Sequence, residues 1–237
     1  MKYSILMPYI KRSKLLYNTL FSFKHWYADR DDWEIIIIED IKNNDNLDEV
    51  IAQYPTLPIV KIAPGIKTYN PAPLYNAASK IAKGSIFVLT NPECFHAVNV
   101  LNGLDADFAK STNIYVICAC QNRLHCNYPT TSIDTIGGQF DIWYQHSKRN
   151  NRGYHFCSVI AAKKYLEIKG FPEIYKNGFG WEDNEFRDTV IRSVDTVILR
   201  DDLIVIHQAH ESIYQSMQPN SYWVLYNKNR DLYLSRR

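Results

Sequence analysis

The sequence predicts an α/β chain, a mixed, mostly parallel sheet flanked by helices, laid out as a single domain of two fused halves. Three observations carry that reading. Short, uninterrupted apolar runs at residues 4–7, 33–38 and 85–89 suit strands covered on both faces. Segments with helical spacing separate those runs, so strand and helix alternate as in a doubly wound sheet. Polar residues follow the runs directly: Pro8, Tyr9, Glu39, Asp40, Asn91 and Glu93 all fall at strand C-termini, the edge where such sheets bind ligands.

In chain order, residues 4–7 form a strand that Pro8 stops. Ser13 is placed to cap a helix whose apolar positions Leu15, Leu16, Leu20 and Phe23 recur up to Tyr27. The β-branched run at 33–38 is the second strand, followed by a polar turn and a helix over 45–53. A strand at 57–62, a helix within 71–83, a strand at 85–89, a helix over 98–110 and a strand at 114–120 continue the alternation. Residues 121–150 read as a long polar loop with Ile142, Trp143 and Tyr144 embedded, the length of a lid or binding loop. A strand at 156–162, a helix from Lys163, a helix ending near Arg192 and a strand at 202–207 follow. The tail from 227 to 237 is basic, with interleaved tyrosine and leucine, and reads either as an ordered flap or as a frayed end.

Bulk properties exclude several classes. The chain has 237 residues, ample for a core, and a net charge of +2, which does not suit an obligate polyanion binder. Its 5 cysteines show no CxxC spacing and read as free thiols in a reducing compartment. No apolar run is long enough to span a bilayer, and residues 1–6 are too short for a signal-peptide core, so a cytoplasmic location is expected. The 17 tyrosines and 5 tryptophans suit carbohydrate or base recognition, and equally a core.

The segment Gly178-Phe179-Gly180-Trp181-Glu182-Asp183-Asn184-Glu185-Phe186 concentrates chemistry at what reads as a helix mouth. Glycine allows close backbone approach, tryptophan offers a flat apolar platform, and a carboxylate can take a proton. Such a set suits a site that binds a sugar and deprotonates its hydroxyl. The acidic residues also favour a helix N-terminus through its dipole alone.

Taken together, these stretches resemble the family 2 nucleotide-sugar glycosyltransferases of the GT-A fold, with a second half similar to galactosyltransferase-type enzymes. The resemblance runs from Ser4 to about His210. Ser4-Ile5-Leu6-Met7-Pro8-Tyr9 is similar to the opening strand, and Ile36-Ile37-Ile38-Glu39-Asp40 to the second strand with its base- or ribose-binding acids. Tyr75-Asn76-Ala77-Ala78 and Ala82-Lys83-Gly84-Ser85-Ile86 resemble the asparagine-bearing helix and the glycine turn. Gly170-Phe171-Pro172-Glu173 and residues 181–186 resemble the catalytic stretch.

The resemblance implies a donor half at 1–100 and an acceptor-binding and catalytic half at 101–237. Pro8, Tyr9, Glu39, Asp40, Asn76 and Asn91 would bind the nucleotide sugar. Asp183 would be the general base, and Glu182 would hold an acceptor hydroxyl beside Trp181 and His155. Where the family has Asp-x-Asp, this chain has Asn91-Pro92-Glu93, so Mn²⁺ or Mg²⁺ would rest on Glu93, Asn91 and a histidine of the late strand, His207 in preference to His210. His207 equally suits a histidine satisfied at a strand end. On a regular strand His207 and His210 point to opposite faces. His96 is a weaker ligand and reads as structural. Lys148, Arg149 and Arg152 border the long loop, as phosphate contacts or as a solvated face. The expected reaction is inverting transfer, UDP-sugar favoured, to a saccharide or to a hydroxymethylated DNA base of viral type. The alternative is a degenerate, binding-only version of the same fold. A nucleotidyltransferase is disfavoured because residues 8–13 lack glycines.

Overall fold

The apolar runs of the first half become a block of parallel strands. In the computed structural model, which describes residues 1–134, 136, 138–154, 156–211 and 218–237, β1 (Tyr3–Tyr9) is followed by α1 (Ser13–Tyr27), β2 (Trp33–Glu39), α2 (Leu47–Ala52), β3 (Ile59–Ile62), α3 (Ala72–Ser79) and β4 (Ile86–Thr90). β1 is buried along its whole length and β2 up to Ile38, as expected for strands with helices on both faces. The pairing is in register from Tyr3–Trp33 to Tyr9–Glu39, so both strands end at one level.

A buried polar knot fixes where this block starts. The Ser4 hydroxyl donates to Glu34 Oε1 (2.6 Å), and the backbone N–H groups of Lys83 and Gly84 donate to Glu34 Oε1 and Ser4 Oγ (2.6 and 2.7 Å). A Cβ at Gly84 would stand 2.5 Å from the Ser4 nitrogen, so only glycine lets the turn before β4 approach β1.

The second half continues the same sheet with mixed polarity. It comprises β5 (Cys94–His96), α4 (Val100–Lys110), β6 (Ile114–Arg123), β7 (Phe140–Gln145), β8 (Cys157–Ala161), α5 (Ala162–Glu167), α6 (Glu182–Ser193), β9 (Thr196–His207) and α7 (Pro219–Ser235). Among the described residues nine strands join in the order β3-β2-β1-β4-β8-β6-β9-β5, with β7 added to β6. β8 runs antiparallel between β4 and β6, while β6 and β9 are parallel.

Helices cover both faces. Leu16, Leu20 and Phe23 of α1 and Leu101 and Leu104 of α4 close one core against Ile5, Ile35 and Val116. Tyr75 of α3 and Phe186 and Val190 of α6 close the other against Leu6, Ile36 and Ile160. Phe186 stacks on Phe171 with ring centroids 3.9 Å apart, which anchors the start of α6.

The structure corrects three local expectations and adds one strand, β5, that the sequence reading did not contain. The supposed loop at 121–150 contains β7, an edge strand whose Phe140 and Ile142 face solvent and so lack a buried apolar signature. β5 is only three residues long, and its pairing with β9 joins segments far apart in sequence. The late strand begins at Thr196, and its register on β6 jumps between Cys118–Arg200 and Ala119–Ile204, a bulge holding Asp201, Asp202 and Leu203. Ser13 does not cap α1 through its side chain. Its N–H donates to Asp45 Oδ2 (3.0 Å), which also accepts from the Tyr9 hydroxyl (2.7 Å). The basic tail is the end of α7. All five cysteines are free thiols.

Candidate active site

β1, β2 and β4 end at a cleft of about 400 Å³. Pro8, Tyr9, Asp40, Asn91 and Glu93 line it, so five sequence-predicted residues meet there. Asp40 is buried, and its Oδ1 accepts the Lys42 N–H (2.7 Å), closing a turn that aims the carboxylate across the strand ends. Tyr9 is also buried. Its hydroxyl is committed to Asp45, and burial first, then Asp45, keeps the phenol protonated. Asn91 Oδ1 accepts from the Tyr75 hydroxyl (3.0 Å), which uses one of its two lone pairs.

Two other predicted donor residues are elsewhere. Asn76 is consumed in holding the loop after α5: Nδ2 donates to Phe171 O and Glu173 Oε1, while Oδ1 accepts from the Tyr165 hydroxyl and the Phe171 N–H. Glu39 points to Asn43 Nδ2 (2.7 Å) and Lys61 (3.7 Å) and is absent from the cleft lining. His155 lies outside the described residues.

The cleft also contains residues the sequence reading passed over. Arg12 and Lys42 line it and, among the described residues, their side chains hydrogen-bond only backbone carbonyls, those of Lys11 and Thr68. Tyr69, Asn70 and Phe179 complete the wall. Asn70 Nδ2 donates to Tyr175 O (2.6 Å) and Gly178 O (3.2 Å), tying the 178–181 loop to the cleft. Arg12, in a Lys-Arg pair just after the first strand, was the one visible signal.

Beside the cleft, Glu93, His207 and His210 each offer a ligand atom within 4.8 Å of the others. Glu93 Oε1 is 3.9 Å from His207 Nε2 and 3.8 Å from His210 Nε2. The sequence reading favoured one histidine because a regular strand would oppose them. β9 ends at His207 and the regular strand does not continue to His210, so both reach Glu93. Gln208 is buried and anchors the chain where β9 ends: its N–H and Nε2 donate to Glu93 O, Nε2 also to Leu15 O and Thr19 Oγ1, and Oε1 accepts from Asn18.

The histidine chemistry is set by neighbours. Asn122 Nδ2 donates to Asp141 Oδ2 (3.0 Å), which leaves Asn122 Oδ1 facing His207 Nδ1 at 3.2 Å. His207 therefore carries its proton on Nδ1 and presents a lone pair on Nε2 toward Glu93. Burial lowers its pKa to about 4, outweighing the attraction of Glu93, so the ring is neutral at physiological pH. His210 Nε2 is buried without a hydrogen-bond partner among the described residues. A neutral imidazole, an orphaned imidazole nitrogen and a carboxylate make a donor set that fits a divalent cation such as Mn²⁺ better than Mg²⁺, which favours oxygen ligands. His96 is structural: it is buried, meets the Tyr27 hydroxyl at Nδ1 (2.5 Å), and burial lowers its pKa to about 3.

The acidic segment forms a second cluster, reached from the cleft wall through Phe179. Gly180 and Trp181 both take left-handed conformations (φ +64° and +74°), and Trp181 is the N-cap of α6. Such strain at a bulky residue costs on the order of 1–3 kcal/mol and persists where surroundings enforce it. Here Asn229 of α7 does so, donating to Tyr175 O (3.0 Å) and Gly180 O (2.9 Å), while the Trp181 ring lies against Tyr226 and Tyr233. Trp181 Nε1 and Glu182 Oε2 are buried with no hydrogen-bond partner among the described residues. Burial, then the neighbouring Asp183, pushes the Glu182 carboxyl well up, so it stays neutral and can donate a hydrogen bond. Burial also raises Asp183, opposed by N–H groups at the helix start and by Arg187. Asp183 and Glu182 are outside the cleft lining itself.

Comparison with known proteins agrees with this geometry. The family described as Glycosyl transferase family 2 matches residues 4–166, more than half of the chain. No curated protein matches by sequence. The fold is similar to S. aureus TarS 1-349 in complex with UDP-GlcNAc, at TM-score 0.68 and 13% identity over 95% of this chain and 64% of that one. It is also similar to the mannosyltransferase PcManGT from Pyrobaculum calidifontis in complex with GDP-Man and Mn²⁺, at TM-score 0.62 and 12% identity over 91% of this chain and 59% of that one. The chain thus spans about 60% of the length of these solved structures.

Proposed function

The chain belongs to glycosyl transferase family 2, and on that premise we propose that it transfers a hexosyl group from a nucleotide-diphosphate sugar to an acceptor hydroxyl, with inversion at the anomeric carbon. The observation that carries this is the convergence of a strand-end cleft with the Glu93–His207–His210 cluster. UDP-sugar is the favoured donor, because TarS is known in complex with UDP and UDP-GlcNAc. Mn²⁺ is the favoured ion, by the nitrogen-rich donor set and by its presence with PcManGT. We assign residues 1–100 to donor binding and 101–237 to acceptor binding and catalysis.

Asp40 and Tyr9 take the nucleoside, and Arg12 and Lys42 meet the diphosphate, adding their positive charge to that of the ion. Glu93, His207 and His210 would hold a divalent ion, which would supply Lewis-acid neutralisation of the leaving diphosphate. The acceptor oxygen bonds to the anomeric carbon as the bond from that carbon to the diphosphate oxygen breaks, and the diphosphate leaves with the electron pair. Asp183 receives the acceptor proton, while Glu182, held neutral, and Trp181 Nε1 donate to acceptor oxygens. The acceptor class is a saccharide in preference to a DNA base.

The test is a thermal-shift and hydrolysis screen of UDP-, GDP- and TDP-sugars, with and without Mn²⁺, on wild type and Asp183→Asn. Stabilisation by one donor, with slow metal-dependent hydrolysis lost in the variant, supports the transferase. Donor binding without turnover supports the binding-only reading, toward which Asn91 in place of an aspartate points. No binding of any donor refutes both.

A further inference from the structure

Resting on the transferase reading, we propose that the turn carrying Lys148, Arg149 and Arg152 is an acceptor subsite for an anionic saccharide, one whose sugars bear carboxylate or phosphate groups. The segment 144–156, from the end of β7 to the start of β8, is tied to both reacting groups of the site. At one side Tyr144 and Phe156 pack on His207, with ring centroids 5.0 and 5.8 Å from it. At the other, Asn184 Nδ2 donates to the Tyr154 hydroxyl (3.1 Å) and Arg187 Nη1 to Arg152 O (3.0 Å), which holds the segment against the first turns of α6, where Asp183 sits. An acceptor whose hydroxyl reaches Asp183 therefore has this segment as its neighbour.

The turn is built to hold its charges outward. His146 and Asn150 exchange backbone N–H···O bonds (3.0 Å each), and Asn150 Nδ2 donates to Trp143 O (2.7 Å). Gln145 is buried, and its Oε1 accepts the N–H groups of Arg152 and Gly153 (3.0 and 2.8 Å). Ser147 donates through its N–H and its hydroxyl to Asp201 in the β9 bulge. On this fixed backbone Lys148, Arg149 and Arg152 are all exposed. Among the described residues none of them forms an ion pair within bonding distance, and the Arg152 side chain donates only to Asn150 Oδ1 (3.2 Å). Asp201, at the foot of the turn, attracts Lys148 but already accepts from Ser147 on both oxygens.

Charge selects the occupant. The donor diphosphate has its own cations in the cleft, Arg12 and Lys42, and none of Lys148, Arg149 and Arg152 lines that cleft. Clustered cations without partners draw a further anion to the surface beside it. No large apolar side chain between 146 and 154 is exposed, which does not suit insertion into a lipid surface. Duplex DNA is disfavoured by number: its binders neutralise about 6–10 phosphates, and the turn offers three cations. A saccharide with a charge on some or all of its sugars matches that count.

The experiment titrates the full chain by calorimetry with hexagalacturonate, with maltohexaose phosphorylated at O6, and with plain maltohexaose. A short DNA duplex and phosphatidylcholine–phosphatidylglycerol vesicles are titrated in parallel. The expected result is that at least one anionic oligosaccharide binds more tightly than maltohexaose, and that its binding weakens several-fold as salt rises from about 50 to about 200 mM. Which of the two binds tells carboxylate from phosphate. Arg149→Glu with Arg152→Glu should weaken that binding by about tenfold, while Arg149→Lys with Arg152→Lys keeps most of it. UDP binding in the presence of Mn²⁺ reads the donor site by itself and should be equal in all three proteins. Its absence from wild type refutes the transferase reading on which the turn's role rests. Four results overturn the proposal while leaving the transferase intact: neither anionic oligosaccharide binds, maltohexaose binds as tightly, charge reversal leaves binding unchanged, or the duplex or the vesicles bind more tightly than either oligosaccharide and lose that binding on charge reversal.

Discussion

The two halves of this sheet build function in opposite ways. The first is a block of parallel strands, buried almost throughout, and its polar residues appear where those strands stop. Pro8, Tyr9, Asp40, Asn91 and Glu93 reach one cleft with little more than the register of β1, β2 and β4 to bring them there. The second is of mixed polarity, bulged and partly exposed, and its candidate groups are set by exceptions to regular structure. The end of β9, anchored by Gln208, leaves His210 beside His207, and two left-handed residues place Glu182 and Asp183. The lesson is that parallel strand ends can be read locally, whereas a site built on turns depends on what holds the turns.

Substitutions ranked by effect test that contrast. The largest is expected for Asp183→Asn, a loss of about 10²–10⁴-fold in kcat with UDP affinity retained. In wild type, kcat/KM should rise with pH as Asp183 ionises, with an inflection above the ordinary aspartate value of 3.8 because burial favours its neutral form. A flat profile, or weakened UDP binding in the variant, would put the base elsewhere.

Next is Phe186→Ala, which removes the stack that seats α6. Phe-to-Ala changes in a core cost about 3–5 kcal/mol, read as a lower denaturant midpoint. If the halves work as described, ligand-free thermal stability falls together with acceptor turnover, while UDP binding at a temperature where the variant stays folded changes little.

Asn122→Ala should be smaller. It leaves every proposed ligand in place but frees His207 to take the other tautomer, so Mn²⁺ affinity should fall by about 10–100-fold. Unchanged Mn²⁺ affinity by calorimetry would show that the tautomer is not held by this asparagine.

The smallest effect is expected for Glu182→Gln. The folded state holds Glu182 protonated above the pH at which the unfolded chain ionises, so it binds more protons than the unfolded state and stability falls as pH rises from the ordinary value of 4.5 toward the raised folded value. The neutral glutamine escapes that penalty. A Tm gain of about 2–4 °C, near 1 kcal/mol for this length, is expected at neutral pH and should vanish in acid. A lower Tm at neutral pH would mean that the carboxylate is ionised and paired.

The helices and strands of the first half were legible because each is long or apolar enough to declare itself over adjacent residues. The 33–38 run and the helical spacing from Leu16 to Phe23 are examples. β7 and β5 were not, since Phe140 and Ile142 of β7 face outward and the three residues of β5 form a strand only by pairing with β9. Asn76 shows the limit on function: it sits in a motif resembling a donor helix, yet its side chain is bonded to Tyr165 of α5 and to the loop that follows it.

By itself the sequence determined the alternation of elements, the strand-end position of the cleft and the chemical types in it, because periodicity and turn residues act over a few neighbours. Tertiary structure alone decided that His210 joins His207, that Arg12 and Lys42 enter the cleft, and that Tyr226 and Tyr233 of α7 lie against Trp181. Each of these rests on contacts between residues distant in the chain, Gln208 with Leu15 or Asn229 with Tyr175, and a linear pattern does not record which partner a buried amide will find.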